Sequence, residues 1–164
     1  MQQQSSDWIA NIRGQYPGLH SSVLAPHFTF VFPTSSVSES DLVTHVAGCA
    51  AQVRRIAFTL RSSLLVKDDS SDTYYAMLTP DEGFSGVVKL HDKLYTGPLA
   101  DYLRLDLPFI PHVTVGNSTD VQLCKRVVDA LNASEFEIEG TIAALDIVRK
   151  EGTVAETIQR LYLQ

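Results

Sequence analysis

The chain has 164 residues, 45% apolar and 20% charged, with a formal net charge of −6 at neutral pH. That is enough for a substantial core, so residues 1–164 are expected to fold as one domain. The negative balance argues against tight binding to long nucleic acid, which depends on phosphate neutralisation, and no run approaches the roughly 18 apolar residues of a membrane span.

In chain order, Met1-Gln2-Gln3-Gln4-Ser5-Ser6 is polar and lacks a signal-peptide layout. Asp7 to Gln15 reads as a short helix after a Ser5/Ser6 cap, with Trp8, Ile9 and Ile12 on its apolar side, ended by Pro17-Gly18. Residues 27 to 32 are rich in aromatic and β-branched side chains and predict a strand. Ser38-Glu39-Ser40-Asp41 resembles a capping box and opens a helix to about Arg54. Ile56 to Lys67 and Thr73 to Leu78 predict strands joined by the polar turn Asp68-Asp69-Ser70-Ser71-Asp72. Ser85 to Tyr95 is helical in pattern, with a further turn around Leu99 to Leu103 after Gly97-Pro98. A strand over 112 to 116 and a helix from Asp120 to about Asn132 follow. Phe136 to Arg149 and Ala155 to Leu163 predict a final hairpin around Glu151-Gly152. The order helix-strand-helix-strand-strand thus occurs twice, an internal duplication of elements. It predicts an α+β fold of two similar lobes, with antiparallel sheets side by side and helices outside. Cys49 and Cys124 fit no pairing or ligand spacing and read as free thiols in a reducing compartment, with the cytoplasm as default.

One motif occurs in both halves: Pro26-His27-Phe28-Thr29-Phe30 and Pro111-His112-Val113-Thr114-Val115. On a strand, alternate side chains share a face. His27 and Thr29 therefore face one way, roughly 6 to 7 Å apart, with Phe28, Phe30 and Phe32 behind them. His112 and Thr114 do the same, backed by Val113 and Val115. Two such pairs opposite each other would supply a general acid, a general base and two hydroxyl donors around an anion. Histidine suits proton transfer because its ordinary pKa near 6.5 lets one copy be neutral and the other charged. No metal or other cofactor is expected, since neither motif offers a second ligand at close spacing.

These motifs, with His27-Phe28-Thr29-Phe30-Val31-Phe32-Pro33, Pro111-His112-Val113-Thr114-Val115-Gly116 and the helical segment Leu90-His91-Asp92-Lys93-Leu94-Tyr95, resemble the two-histidine (2H) phosphoesterase superfamily. Within it they are most similar to 2'-5' RNA ligase-like proteins and cyclic nucleotide phosphodiesterases. The resemblance runs from about Asp7 to the C-terminus and implies a bilobal, pseudo-twofold fold with a central cleft. Members usually open with a strand ahead of the first helix. The polar start cannot be that strand, which is expected to be absent or cut away here.

The resemblance and the residues together lead to the expectation of a metal-independent phosphodiesterase. It would act on 2',3'-cyclic or 2'-5'-linked nucleotides, with His112 as base, His27 as acid, and Thr29 and Thr114 on the phosphate. Alternatives are RNA 2'-5' ligation or RNA-end processing by the same site, and a non-catalytic nucleotide-binding module. The expected partner is a small nucleotide or short RNA end, handled by a monomer without membrane attachment. Phe32 and Tyr75 are candidates to stack a base, against the commoner reading as ordinary core or surface aromatics. Arg61, Lys67, Arg149 and Lys150 could add positive charge near the phosphate, although solvated strand ends explain them as well. Pro26 and Pro111 are expected to fix chain entry into each strand. His20, His45 and His91 have no Thr two residues on and read as surface or helix-face residues.

Overall fold

The computed structural model describes residues 3–20, 24–68, 71–152 and 154–164. Its helices are α1 (Gln3–Gln15), α2 (Glu39–Ala50), α3 (Phe84–Leu94) and α4 (Val121–Asn132), with a 3₁₀ turn at Gly97–Tyr102. Its strands are β1 (Ile56–Lys67), β2 (Tyr74–Glu82), β3 (Val113–Ser118), β4 (Ile138–Ile142), β5 (Ala144–Glu151) and β6 (Val154–Tyr162). They form an antiparallel four-stranded sheet in the order β3-β2-β1-β4 and a two-stranded sheet of β5 and β6. The α+β class with two antiparallel sheets is as expected, although the sheets differ in size. The polar turn predicted between β1 and β2 includes Asp69 and Ser70, which lie outside the described residues.

Local chemistry accounts for most element ends. Ser38 caps α2 by accepting from the Asp41 amide, and Asp120 caps α4 by accepting from the Gln122 and Leu123 amides. The first helix starts at Gln3, ahead of the expected Ser5/Ser6 cap, so both serines lie within its first turns. At Gly83 (φ +83°) a side chain would meet the Ala57 carbonyl, and only glycine turns the chain there from β2 into α3.

The larger sheet buries one face. Phe58 and Leu60 on β1, Ala76 and Leu78 on β2, and Val113 and Val115 on β3 join a core with Ile9 of α1, Leu90 and Leu94 of α3, and Val127 and Leu131 of α4. A register shift between Leu60 and Ser62 switches the inward side of β1 from even to odd positions, so that Ser63 comes opposite Leu78. Such bulges leave one residue unpaired; Arg61, at the shift, points to Asp81, Glu82 and Glu137. Beyond the shift the opposite face carries Ser62, Leu64 and Val66 beside Thr79, Met77 and Tyr75, and Thr114 lies across from Met77.

Two sequence expectations need correction. The expected final hairpin is divided: β4 pairs with β1 at the edge of the larger sheet, and only β5 and β6 form the hairpin, which turns at Gly152 (φ +58°). The first motif does not form a strand either. It meets β3 through one antiparallel bridge, Phe28 to Val113. On the Pro26 side of that bridge the edge of β3 is already occupied. Arg13 of α1 reaches across with Nε donating to the Val115 carbonyl (2.7 Å) and Nη2 to the Thr114 carbonyl (3.0 Å). Beyond it, His20 exchanges backbone hydrogen bonds with Asn117, each 2.8 Å. Pro26 and Pro33 have no amide hydrogen to offer, and the Phe32 amide donates to the Tyr95 hydroxyl instead (3.0 Å).

Candidate active site

The single Phe28–Val113 bridge is enough to set the site. In an antiparallel register, residues flanking a bridged pair face each other in reverse order. His27 therefore falls opposite Thr114, and Thr29 opposite His112. Phe28 and Val113 turn to the other side; Val113 is fully buried, and Phe28 packs edge-on against Phe58 with ring centroids 5.0 Å apart. The four motif side chains consequently share one face, each histidine diagonal to the other and beside a threonine of the opposite segment. His27 and Thr29 are exposed, while His112 and Thr114 are half-buried.

The two imidazoles are held in the same way. His27 Nδ1 donates to the Ala25 carbonyl at 2.8 Å, and His112 Nδ1 to the Ile110 carbonyl at 2.6 Å. A carbonyl can only accept, so in both rings Nδ1 carries the hydrogen and Nε2 is left for chemistry. Burial lowers the His112 pKa from its ordinary 6.5, partly offset by the bond to Ile110, and a cationic His27 nearby lowers it further. His112 thus senses the charge of His27.

The other sequence candidates are placed unevenly. Tyr75 shares the sheet face of Thr114, two residues beyond Met77 and across from Asn117; burial and the Asp68 carboxylate raise its pKa. Phe32 lies elsewhere, lining a pocket of about 270 Å³ with His91, Tyr95, Arg104, Leu105 and Phe109 among others. The structure does not bring Phe32 and Tyr75 together in that pocket. The cations considered for the phosphate are engaged on the surface: Arg61 with three carboxylates, Lys67 with Asp72, and Arg149 with Glu39 and Glu156. Lys150 is exposed near the end of β5.

Of the remaining histidines, His20 is exposed, and His45 is half-buried with Nε2 donating to the Leu94 carbonyl at 2.9 Å. His91 corrects the sequence reading, since it is only 4% exposed. Its ring stacks on Phe109 with centroids 3.7 Å apart and planes 14° from parallel. The spacing Val87, Leu90, His91, Leu94 puts it on the apolar side of α3, a signal present in the sequence. Arg13, whose pKa is lowered by burial, had no such signal, because a clamp between α1 and β3 depends on tertiary packing.

A family model, 2'-5' RNA ligase superfamily, matches residues 1–154. No curated protein matches the chain by sequence. Among solved structures, the fold is similar to the crystal structure of TT0787 of Thermus thermophilus, with a TM-score of 0.69 and 14% identity over 99% of this chain and 93% of that one. It is also similar to Usb1 of Kluyveromyces marxianus, with a TM-score of 0.53 and 14% identity over 98% of this chain and 91% of that one.

Proposed function

Since the chain belongs to the 2'-5' RNA ligase superfamily, whose members process phosphodiesters, we propose that it hydrolyses 2',3'-cyclic or 2'-5'-linked nucleotide phosphodiesters without a metal ion. The observation that carries this reading is the shared face of His27, Thr29, His112 and Thr114, with both Nδ1 atoms anchored and both Nε2 atoms left for chemistry.

In-line attack needs a base for water, an acid for the departing oxygen and donors for the non-bridging oxygens. His112 is the base, because its lowered pKa keeps Nε2 unprotonated at neutral pH. It removes a proton from water as that oxygen bonds to phosphorus. His27 gives its Nε2 proton to the ribose oxygen as the phosphorus–oxygen bond breaks. The proton ends on His112 and returns to His27 through solvent. Thr29 and Thr114 donate hydroxyl hydrogens to the non-bridging oxygens, each held stiffly by its branched Cβ. Acid–base work of this kind supplies about 10²- to 10⁴-fold in rate. The metal-free reading rests on this chemistry.

The test is incubation with 2',3'-cyclic mononucleotides and a 2'-5' dinucleotide in excess chelator, with products followed by phosphorus NMR. Opening of at least one of these esters at an undiminished rate in chelator is expected. Turnover abolished by chelator and restored by a divalent ion would overturn the metal-free mechanism, and joining of RNA ends without hydrolysis would favour ligation.

A further inference from the structure

We propose that His20, Asn117 and Tyr75 form a second subsite beside the motif quartet, one that takes the 5'-linked nucleoside of a 2'-5' dinucleotide. The inference rests on the phosphodiesterase reading and deepens it, since it favours the 2'-5' linkage among the esters considered.

Register places the three side chains in one row. Tyr75 on β2 lies opposite Asn117 on β3. On the other edge of β3, His20 is bridged to the same Asn117, the two exchanging backbone hydrogen bonds of 2.8 Å. Directly opposed residues of antiparallel segments turn their side chains to one face, with Cβ atoms about 4.5–5.5 Å apart. That face is the quartet's. Tyr75 is two residues from Met77, which lies opposite Thr114, and side chains two apart on a strand share a side, about 6 to 7 Å from one another. Asn117, three residues beyond Thr114, would face the other way on a regular strand. The register shift between Ala76 and Met77 gives β3 one extra residue there and returns Asn117 to the quartet's side. Its burial agrees: Asn117 is half-buried between buried Gly116 and Ser118. The row His20, Asn117, Tyr75 therefore runs alongside the row His27, Thr114, Met77, one strand repeat further along the sheet.

The chemistry of the row suits a neutral nucleoside. A phenol hydroxyl, a carboxamide and an imidazole can each donate and accept. Among the described residues none of the three side chains hydrogen-bonds to another group of the protein, so all three are open to a ligand. Tyr75 and Asn117 are half-buried and His20 is exposed, which grades the row from sheltered to open. Burial and the Asp68 carboxylate keep the Tyr75 hydroxyl in its protonated form. The same carboxylate repels a second phosphate at that end of the row, whereas a sugar hydroxyl or a base edge meets no such penalty. An asparagine carboxamide can also pair with the edge of adenine through two hydrogen bonds. With the phosphate held by the quartet, the row lies where the adjoining nucleoside would fall. A 2',3'-cyclic mononucleotide ends at its phosphate and leaves the row unused.

Calorimetry tests the row with two probes of equal charge. One is a 2'-5' diadenosine in which methylene replaces the 5' bridging oxygen, so that the second nucleoside cannot depart. The other is adenosine 2'-methylphosphonate, the same molecule without that nucleoside. Both are titrated into the parent and into His20→Ala, Asn117→Ala and Tyr75→Phe, with folding checked by circular dichroism. The parent should bind the diadenosine probe at least about 10-fold more tightly, and each variant should lower that ratio by about 3- to 10-fold, the effect of one hydrogen bond. A merely structural role would weaken both probes together and leave the ratio standing. Tyr75→Phe keeps the ring and its packing, so it remains informative if another variant fails to fold. Equal binding of the two probes by the parent, binding of neither, or a parent-like ratio in every folded variant would overturn the subsite. A ratio that depends on the row, without hydrolysis of any tested phosphodiester, would leave the subsite standing and remove the phosphodiesterase reading.

Discussion

Each motif histidine donates Nδ1–H to the carbonyl two residues back, and a proline lies between donor and acceptor in both. Proline fixes its own φ and biases the preceding residue toward extended backbone, so the Ala25 and Ile110 carbonyls start from restricted directions. The sequence shows the two His-x-Thr pairs and their prolines, but the hydrogen bond joining them is a matter of coordinates. The two rings differ in surroundings. Half-buried His112 holds a proton less tightly than an ordinary imidazole, because its cation loses water and is repelled by cationic His27. Its neutral, basic form therefore persists to lower pH. The acid-side limb of the kcat/KM profile should fall below pH 6.5, the ordinary histidine value. A pH series on a 2',3'-cyclic nucleotide checks this; a limb above that value would take the base role away from His112.

At the scale of elements, alternation along residues 27 to 32 revealed the correct faces while overstating the strand. Phe28 does turn to the core and His27 and Thr29 do turn outward, yet only one bridge forms. On the Pro26 side of that bridge the Thr114 and Val115 carbonyls are held by Arg13, and on the other side Pro111 has no amide hydrogen to give. No local pattern marks a side chain that substitutes for a strand, which is why the reading missed it. The final hairpin failed for a related reason: periodicity identifies strands but not partners, and β4 finds its partner in β1. Arg13 ties α1 to the strand bearing His112 and Thr114. Arg13→Met should leave the Thr114 and Val115 carbonyls short of a donor, at a cost of about 1–3 kcal/mol each at most, with partial rescue by water. Arg13→Lys should not restore the wild-type value, since one ammonium cannot reproduce the two-nitrogen fork. Denaturant midpoints of the parent and both variants measure this, and an unchanged midpoint in Arg13→Met would show the clamp to be incidental.

For the molecule as a whole, repetition was the most legible property. Two copies of one motif were sufficient to place the chain in its superfamily, and a family match over residues 1–154 bears that out. The repeated order of elements held less well, since among the described residues no strand lies between α1 and α2. Less legible was the inequality of the sheets, one of four strands and one of two, because it turns on β4 changing sheets. The aromatic pocket was legible only in part. Phe32 was a candidate from the start, whereas His91 and Phe109 meet only once α3 packs beside the second motif. Among the described residues no helix is long and apolar enough to cross a membrane.

The central claim is that the four motif side chains form one chemical unit. It is tested most directly by single-turnover hydrolysis of a 2',3'-cyclic nucleotide by the parent, His27→Ala, His112→Ala and the double variant, with binding of a nucleotide monophosphate measured on each. Each single variant should lose about 10²- to 10⁴-fold in rate with much smaller loss of binding. The double variant should be scarcely slower than either, because acid and base act together. Both single variants turning over at the parent's rate while still binding nucleotide would contradict the account and leave a binding module in its place.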